Sequence, residues 1–239
     1  MSARPNEHPI PLPDTDERTL LALIRHMGRT LEDIEKLRIQ HDHRRGAFQR
    51  EHQIVLPPDS VLDALAVAER GAILELKRLW RQHRLAPWAK EQIGVGEKQI
   101  ARLIAEIGSP HLLPDGTERT VSQLWAYCGF DPNRKRRKGM NQAEALACGN
   151  PHAKTRAVLI AQKCVMFNGA PDKNGQSRAR SPFRDVYDAR RAATADREWT
   201  DGHKHNDALR IVAKQFLKEL WIASRQRPHE AHPEGAGGN

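Results

Sequence analysis

The chain has 239 residues, with 39 Lys/Arg against 30 Asp/Glu, a formal net charge of +9 and a sequence pI of about 9.8. Hydrophobic residues make up 38% and aromatic residues 5%, the composition of one large or two small helical domains with a modest core. It contains no long apolar run, signal peptide or lipidation motif, so the anionic partner that its charge implies is nucleic acid rather than a membrane.

The positive excess is unevenly placed. Residues 1–100 carry 16 Lys/Arg against 15 Asp/Glu, whereas residues 101–239 carry 23 against 15. Cys128, Cys148 and Cys164 form no CxxC pair and no even framework, as expected of a reduced, intracellular protein.

Residues 1–14 hold four prolines and read as an irregular tail. Beyond Thr15 the pattern turns helical: Leu20, Ile24, Met27, Leu31 and Ile34 step by four, three, four and three, a heptad seam. The spacing predicts a helix from about Asp16 to the region of Gln53, ended by Pro57-Pro58. Asp59 or Ser60 can cap a second helix. Leu62, Leu65, Ala72, Leu76 and Leu79 restore the seam up to Pro87, with Glu69 interrupting it. Residues 15–86 therefore form either an antiparallel hairpin buried within the chain or a coiled-coil arm that pairs with a second copy.

The stretch IGVGEKQIARLIAEIG, from Ile93 to Gly108, follows. Gly94 and Gly96 permit positive φ and close backbone approach. Gly96, Glu97 and Lys98 open a helix whose first amides have no intrahelical partner, which makes the turn a candidate anion seat. An ordinary helix–helix turn is the other reading. After the turn-forming Asp115-Gly116, TVSQLWAYCGF predicts a short helix closed by Gly129.

Arg134-Lys135-Arg136-Arg137-Lys138 is a basic run between Pro132 and Gly139. Five adjacent cations cannot all face a core, so they form a solvated loop, a localisation-type patch or a phosphate contact. HAKTRAVLIAQKCVMFNG, FRDVYDARRAATADREW and HNDALRIVAKQFLKELWIASR predict three further helices, and the tail after Arg225 reads as disordered. Ile211, Phe216, Leu217, Leu220 and Trp221 look like core. His203 and His205 form a His-x-His pair, but nothing else at ligand spacing supports a metal site.

The order of these marks resembles the C-terminal domain of the DEDD insertion-sequence transposases and Piv-type DNA invertases, a family that includes the bridge-RNA-guided recombinases. The resemblance spans roughly residues 88–169. It rests on Gly94 and Gly96, the Leu124-Trp125-Ala126-Tyr127 helix, the Gly129-Phe130-Asp131-Pro132 turn, and Gly149-Asn150 opening the next helix. It implies a helix-hairpin-helix that grips a nucleic-acid backbone through its glycine amides and Lys98.

Two departures qualify it. Family transposases begin with a RuvC-like nuclease domain carrying Asp and Glu metal ligands, where the first 90 residues here read as a tail and two helices. They also place a nucleophilic serine soon after the Gly-Phe-Asp-Pro-like turn, where this chain has Arg137-Lys138-Gly139, and lysine cannot supply that nucleophile.

The sequence thus leads to an all-α protein. Residues 1–14 and 226–239 are tails, 15–86 an arm, and 87–225 a helical domain with the helix-hairpin-helix. The function expected is a transposase-derived, non-catalytic DNA-binding accessory factor in mobile-element or phage recombination. Its contacts are Gly94, Gly96, Glu97, Lys98, Arg134, Lys135, Arg136, Arg137, Lys138, Asn150 and Lys154, with no catalytic residue, metal or cofactor. DNA is the first partner expected and RNA the second, with a recombinase or integrase and a homodimer through residues 15–86 as protein partners. The expected location is the cytoplasm, on the nucleoid. The rivals are a recombinase subunit with catalysis supplied in trans, a nuclease using His203, His205 and Asp207, and a coiled-coil adaptor.

Overall fold

A computed structural model describes residues 16–134, 136–171, 175–176, 179 and 180–226. The two tails, apart from Gln226 at the end of the last helix, lie outside these residues, as does Lys135. The described residues form helices and no extended strand, with two isolated bridges, Leu112 to Glu118 and Asn168 to Arg180.

Helix α1 spans Glu17–His52. Its start is fixed by Asp16, whose carboxylate accepts from the Thr19 amide at 2.7 Å. Its end is fixed by Gln53 in the left-handed conformation at φ 53°. After the Pro57-Pro58 turn, α2 runs over Ser60–Gln82. Asp59 caps it, accepting from the Val61 and Leu62 amides at 3.0 Å each. The same carboxylate takes bonds from His41 at 2.8 Å and Arg45 at 3.2 Å, so the turn is bolted to α1. His41 and the helix amides hold the Asp59 carboxyl down at about 2.

The two helices form an antiparallel hairpin, and the α1 seam is buried within the chain. Leu20, Ile24 and Leu31 are closed from solvent, with Met27 and Ile34 packed on the same cluster. The interruption at Glu69 has a partner: Arg38 of α1 reaches across the hairpin to its carboxylate.

Pro87 does not end this arm but opens a short helix, α3 (Ala86–Glu91), where its fixed φ suits the first turn. Helix α4 (Glu97–Ile107) then passes through the centre of the fold. Ile100, Ala101, Leu103, Ile104 and Ala105 are all buried, facing α1, α2 and α7 on different sides. At Gly28 of α1 the approach is so close that a Cβ would sit 2.8 Å from Ala105 Cβ.

Helix α5 (Val121–Tyr127) begins at a reciprocal Thr120/Gln123 capping box and ends before Gly129 at φ 69°. A helix not foreseen from the sequence, α6 (Gln142–Ala147), follows the basic run, and an Asn141/Glu144 capping box stabilises it. Helix α7 (Pro151–Met166) is capped by Asn150 as expected. Helix α8 (Pro182–Ala193) stops six residues short of Trp199, because residues 194–199 turn the chain back. Helix α9 (Asp201–Gln226) buries Leu209, Val212, Phe216, Leu217 and Leu220. Phe216 joins the Trp88 and Phe183 rings at 6.1 and 5.9 Å in the core. Two indole N–H groups close the packing, Trp125 donating to the Lys214 carbonyl at 2.9 Å and Trp221 to that of Arg119 at 2.6 Å.

Because the seam is satisfied inside the chain, Leu31→Ala should lower stability by about 3 kcal/mol through the cavity it leaves. The thermal unfolding midpoint should fall while the mass in light scattering stays unchanged. A mass change in that variant would return the seam to an intermolecular role.

His83 gives a second prediction. It is buried, stacked on Trp80 with ring centres 5.1 Å apart, and its Nδ1 accepts from the Leu85 amide at 3.2 Å. Burial pushes its imidazole down to about 4, against the opposing charge of Glu17. The unfolded chain takes up a proton near pH 6.5 that the folded chain refuses until about 4, so stability is complete above 6.5 and falls through that window. The loss should reach about 3 kcal/mol, and His83→Gln should flatten the pH dependence of the unfolding midpoint across it.

Candidate nucleic-acid interface

The glycine hairpin divides into two different devices. Gly94 has φ 95°, and a Cβ there would lie 2.6 Å from the Cα of Cys164 in α7. This glycine lets the turn press backbone against backbone. Gly96 has φ −88°, nothing within 4 Å of its Cβ position, and no side-chain cap at the start of α4. The charged residues beside it bind other parts of the chain. Glu97 receives both arms of the Arg81 guanidinium at 2.7 and 2.8 Å. Lys98 Nζ donates to Glu35 at 2.8 Å, and Arg102 donates to the other oxygen of the same carboxylate at 2.7 Å. Burial raises the Glu35 carboxyl, but these two bonds outweigh it and hold it below the ordinary range. In this arrangement Lys98 locks α4 to α1 rather than standing beside the turn for a phosphate.

The remaining marks of the resemblance meet in one knot. A Cβ on Gly149 (φ 99°) would lie 2.6 Å from both the Ala126 carbonyl oxygen and the Gly129 nitrogen. The Asn150 amide donates to the Tyr127 carbonyl at 2.6 Å. The Asn150 side chain is fully used: Oδ1 caps α7, and Nδ2 donates to Glu106 at 2.9 Å and Tyr127 Oη at 3.3 Å. Its place in the site is architectural.

This knot forms one wall of a cleft of about 680 Å³. Arg134, Arg136 and Lys154 line it, joined by Trp199, His203, Asp207 and Arg210 from across the fold. Arg137 opens onto an adjoining recess with Met140 and Cys148, and Lys138 is exposed nearby. Gly94, Gly96, Glu97 and Lys98 lie apart, beside a groove lined by Trp80, Pro87 and Val95.

The acids of the cleft are neutralised by neighbouring cations. Asp131 faces Arg134 at 3.5 Å and caps its own turn through the Asn133 amide at 2.9 Å. Asp207 is held by Arg190 and, at 2.8 Å, by Arg210, which together offset the effect of burial and keep its carboxyl below the ordinary range. Arg136 has no carboxylate partner among the described residues, and the Lys154 ammonium sits 5.7 Å from the Phe130 ring centre. The cleft therefore presents cations to whatever enters it.

Trp199 and Arg210 were not singled out from the sequence, and His203 and Asp207 only as parts of a nuclease. Part of the signal was present: positions 203, 207 and 210 share one face of α9, Trp199 lies just ahead of that helix, and Thr200 caps its start by accepting from the His203 amide at 3.2 Å. The nuclease constellation does not assemble. His203 stacks on Trp199, His205 is bonded to Tyr187 Oη at 2.7 Å, and Asp207 is taken by its two arginines.

Metal-type donors converge elsewhere. Glu32 of α1, Glu106 of α4 and His152 of α7 place ligand atoms within 4.8 Å of one another. His152 Nδ1 is 2.8 Å from Glu32, Arg156 stands 3.9 Å from the same carboxylate, and Asn150 serves Glu106. As paired here, the group is a clamp between three helices. The thiols of Cys128 and Cys164 are both pushed up to about 12 by burial, which leaves them protonated and unreactive.

Comparison of the chain with protein-family models, with curated proteins and with solved structures found no match.

The two hairpin glycines should respond differently to the same change. Gly94→Ala forces a positive φ and a backbone clash, and should cost about 2 kcal/mol or more. Gly96→Ala should cost about 0.5 kcal/mol, the difference between two N-cap residues. Equal unfolding midpoints for the two variants would remove the close approach to Cys164 as the reason for Gly94.

Proposed function

We propose that this chain is a nucleic-acid-binding protein of transposase-derived type that assists DNA recombination without performing the chemistry. The observation that carries the reading is the cleft in which Arg136 and Lys154 stand without a carboxylate partner among the described residues, while Arg134 and Arg210 neutralise the two acids beside them. Arginine and lysine so placed recognise phosphate oxygens, and they do so without reference to sequence. The resemblance of residues 88–169 to the C-terminal domain of DEDD transposases supports the recombination setting. Lys138 at the position of that family's serine supports an accessory role, because an ammonium group cannot attack and hold a phosphodiester as a serine hydroxyl does. A recombinase or integrase would supply the chemistry.

A second reading is favoured by the arm. Leu37, Phe48, Ile54, Val55, Val61, Val67 and Leu74 are all exposed along α1, α2 and their turn, with Val55 at 92%. Apolar side chains in such number on one extension suit a protein partner. The arm would then recruit the recombinase, or a second copy, while the cleft holds the nucleic acid.

The test is salt dependence. Two contacts from the unpaired Arg136 and Lys154, rising to four if Arg134 and Arg210 turn from their carboxylates, predict a log–log slope of affinity against salt between about −1.8 and −3.6 on duplex DNA, or between about −1.4 and −2.8 on a single strand. The double variant Arg136→Gln, Lys154→Gln should reduce the magnitude of that slope by about 1.5 to 2 and weaken binding to all sequences alike. Affinity that is absent, or indifferent to salt, would end the nucleic-acid reading. Nicking of supercoiled DNA that disappears on substitution of Asp207 would replace it with the nuclease.

A further inference from the structure

Within the cleft, a stack of rings forms at the start of α9, with Trp199 just ahead of the helix and His203 in its first turn. The Trp199 and His203 rings lie 4.2 Å apart and within 2° of parallel. The Arg197 guanidinium lies 4.6 Å from the centre of the Trp199 ring. Arg197 and His203 both pack on the indole, and no other aromatic ring among the described residues stacks on His203. The stack therefore ends on His203, which is exposed and lines the cleft. The opposite wall supplies Arg136 and Lys154.

From this juxtaposition we infer that the cleft receives a single-stranded segment, with one unpaired base stacked on His203 and its flanking phosphates on Arg136 and Lys154. The inference rests on the nucleic-acid reading of the cleft and names its substrate. A base in a duplex has both faces covered by its neighbours, so a terminal ring inside a recess has nothing to stack on unless the base is splayed out. Duplex grooves are read by elements that protrude into them, a helix or a strand pair. Here the protein offers a hollow. The base-stacking partner is indifferent to base identity, because every base presents a π face. The i, i+4 spacing of Trp199 and His203 across the Thr200 cap sets the platform in place before any strand arrives.

The experiment compares fluorescence anisotropy of a labelled oligothymidylate and of a blunt duplex of equal length, both with the full chain. The oligothymidylate should bind more tightly. His203→Ala should weaken it about tenfold, leave its salt slope unchanged, and leave the duplex affinity as it was. His203→Phe, which restores a ring face, should recover the oligothymidylate affinity. Circular dichroism unfolding of both variants checks that the fold is kept, as the exposure of His203 predicts. If the duplex binds as tightly as the single strand, or if His203→Ala weakens both probes equally, this inference falls while salt-dependent binding keeps the broader reading. If neither probe binds, both fall together.

Discussion

Helix α4 is buried along most of its length, and it carries four charged residues. Each has a partner on one of three neighbouring elements. Glu97 takes Arg81 at the end of α2, Lys98 and Arg102 share Glu35 of α1, and Glu106 takes Asn150 at the head of α7. Removing Glu35 would leave Arg102, 4% exposed, charged and dehydrated, which costs more than the pair contributes when intact, whereas the Arg81–Glu97 pair faces solvent and contributes little. The Glu35 pair thus acts as a key: α1 can dock on α4 in one register, and another would strand a charge. The hydrophobic faces provide the driving force and the ion pairs select the arrangement.

The cleft inherits its geometry from that arrangement. Asn150 is held by Glu106, and Asn150 in turn begins α7 and therefore sets where Lys154 stands, one turn later. The Gly149 backbone touches Gly129, which places the Phe130–Pro132 turn and the basic loop beyond it. On the far side, α9 is fixed by Phe216 and Leu220 in the core and by Trp125 against its Lys214 carbonyl. The His203 ring and the Lys154 ammonium line one cleft because two helices, each anchored through the core, supply one wall apiece. The exposed basic residues are the exception, being carried on a loop whose position is fixed only at its ends.

What could be read from the sequence was whatever depends on near neighbours. The seam of α1, the Asp59 and Asn150 caps and the glycine stops are local patterns with local causes, and they appear where the residue spacing places them. Helix α6 escaped because six residues hold too little periodicity to show against a polar loop, although Asn141 and Glu144 form a readable capping box. The cleft was only half legible. Its basic wall is a run of adjacent residues, but its other wall lies more than 60 residues further on, at the start of α9, and nothing local joins them. The burden borne by Lys98 was invisible for the same reason: Glu35 lies 63 residues away.

The hairpin glycines show how one motif can hold two physical meanings. Both residues suggest a turn open to a phosphate, yet Gly94 is required by the backbone of α7 and Gly96 alone faces open space. A close backbone approach and an exposed helix start both demand a missing side chain, so composition cannot separate them. The separation lies in φ and in what occupies the Cβ position. If a phosphate does reach the start of α4, it meets amides flanked by an Arg81–Glu97 pair and a Lys98 already bonded to Glu35, a setting close to neutral. The cleft, with Arg136 and Lys154 turned to solvent and its acids neutralised, exerts the stronger pull on the same anion. In this molecule Gly94 helps to build the frame, and the charge that reaches outward is held beyond α5, on the basic loop and on α7.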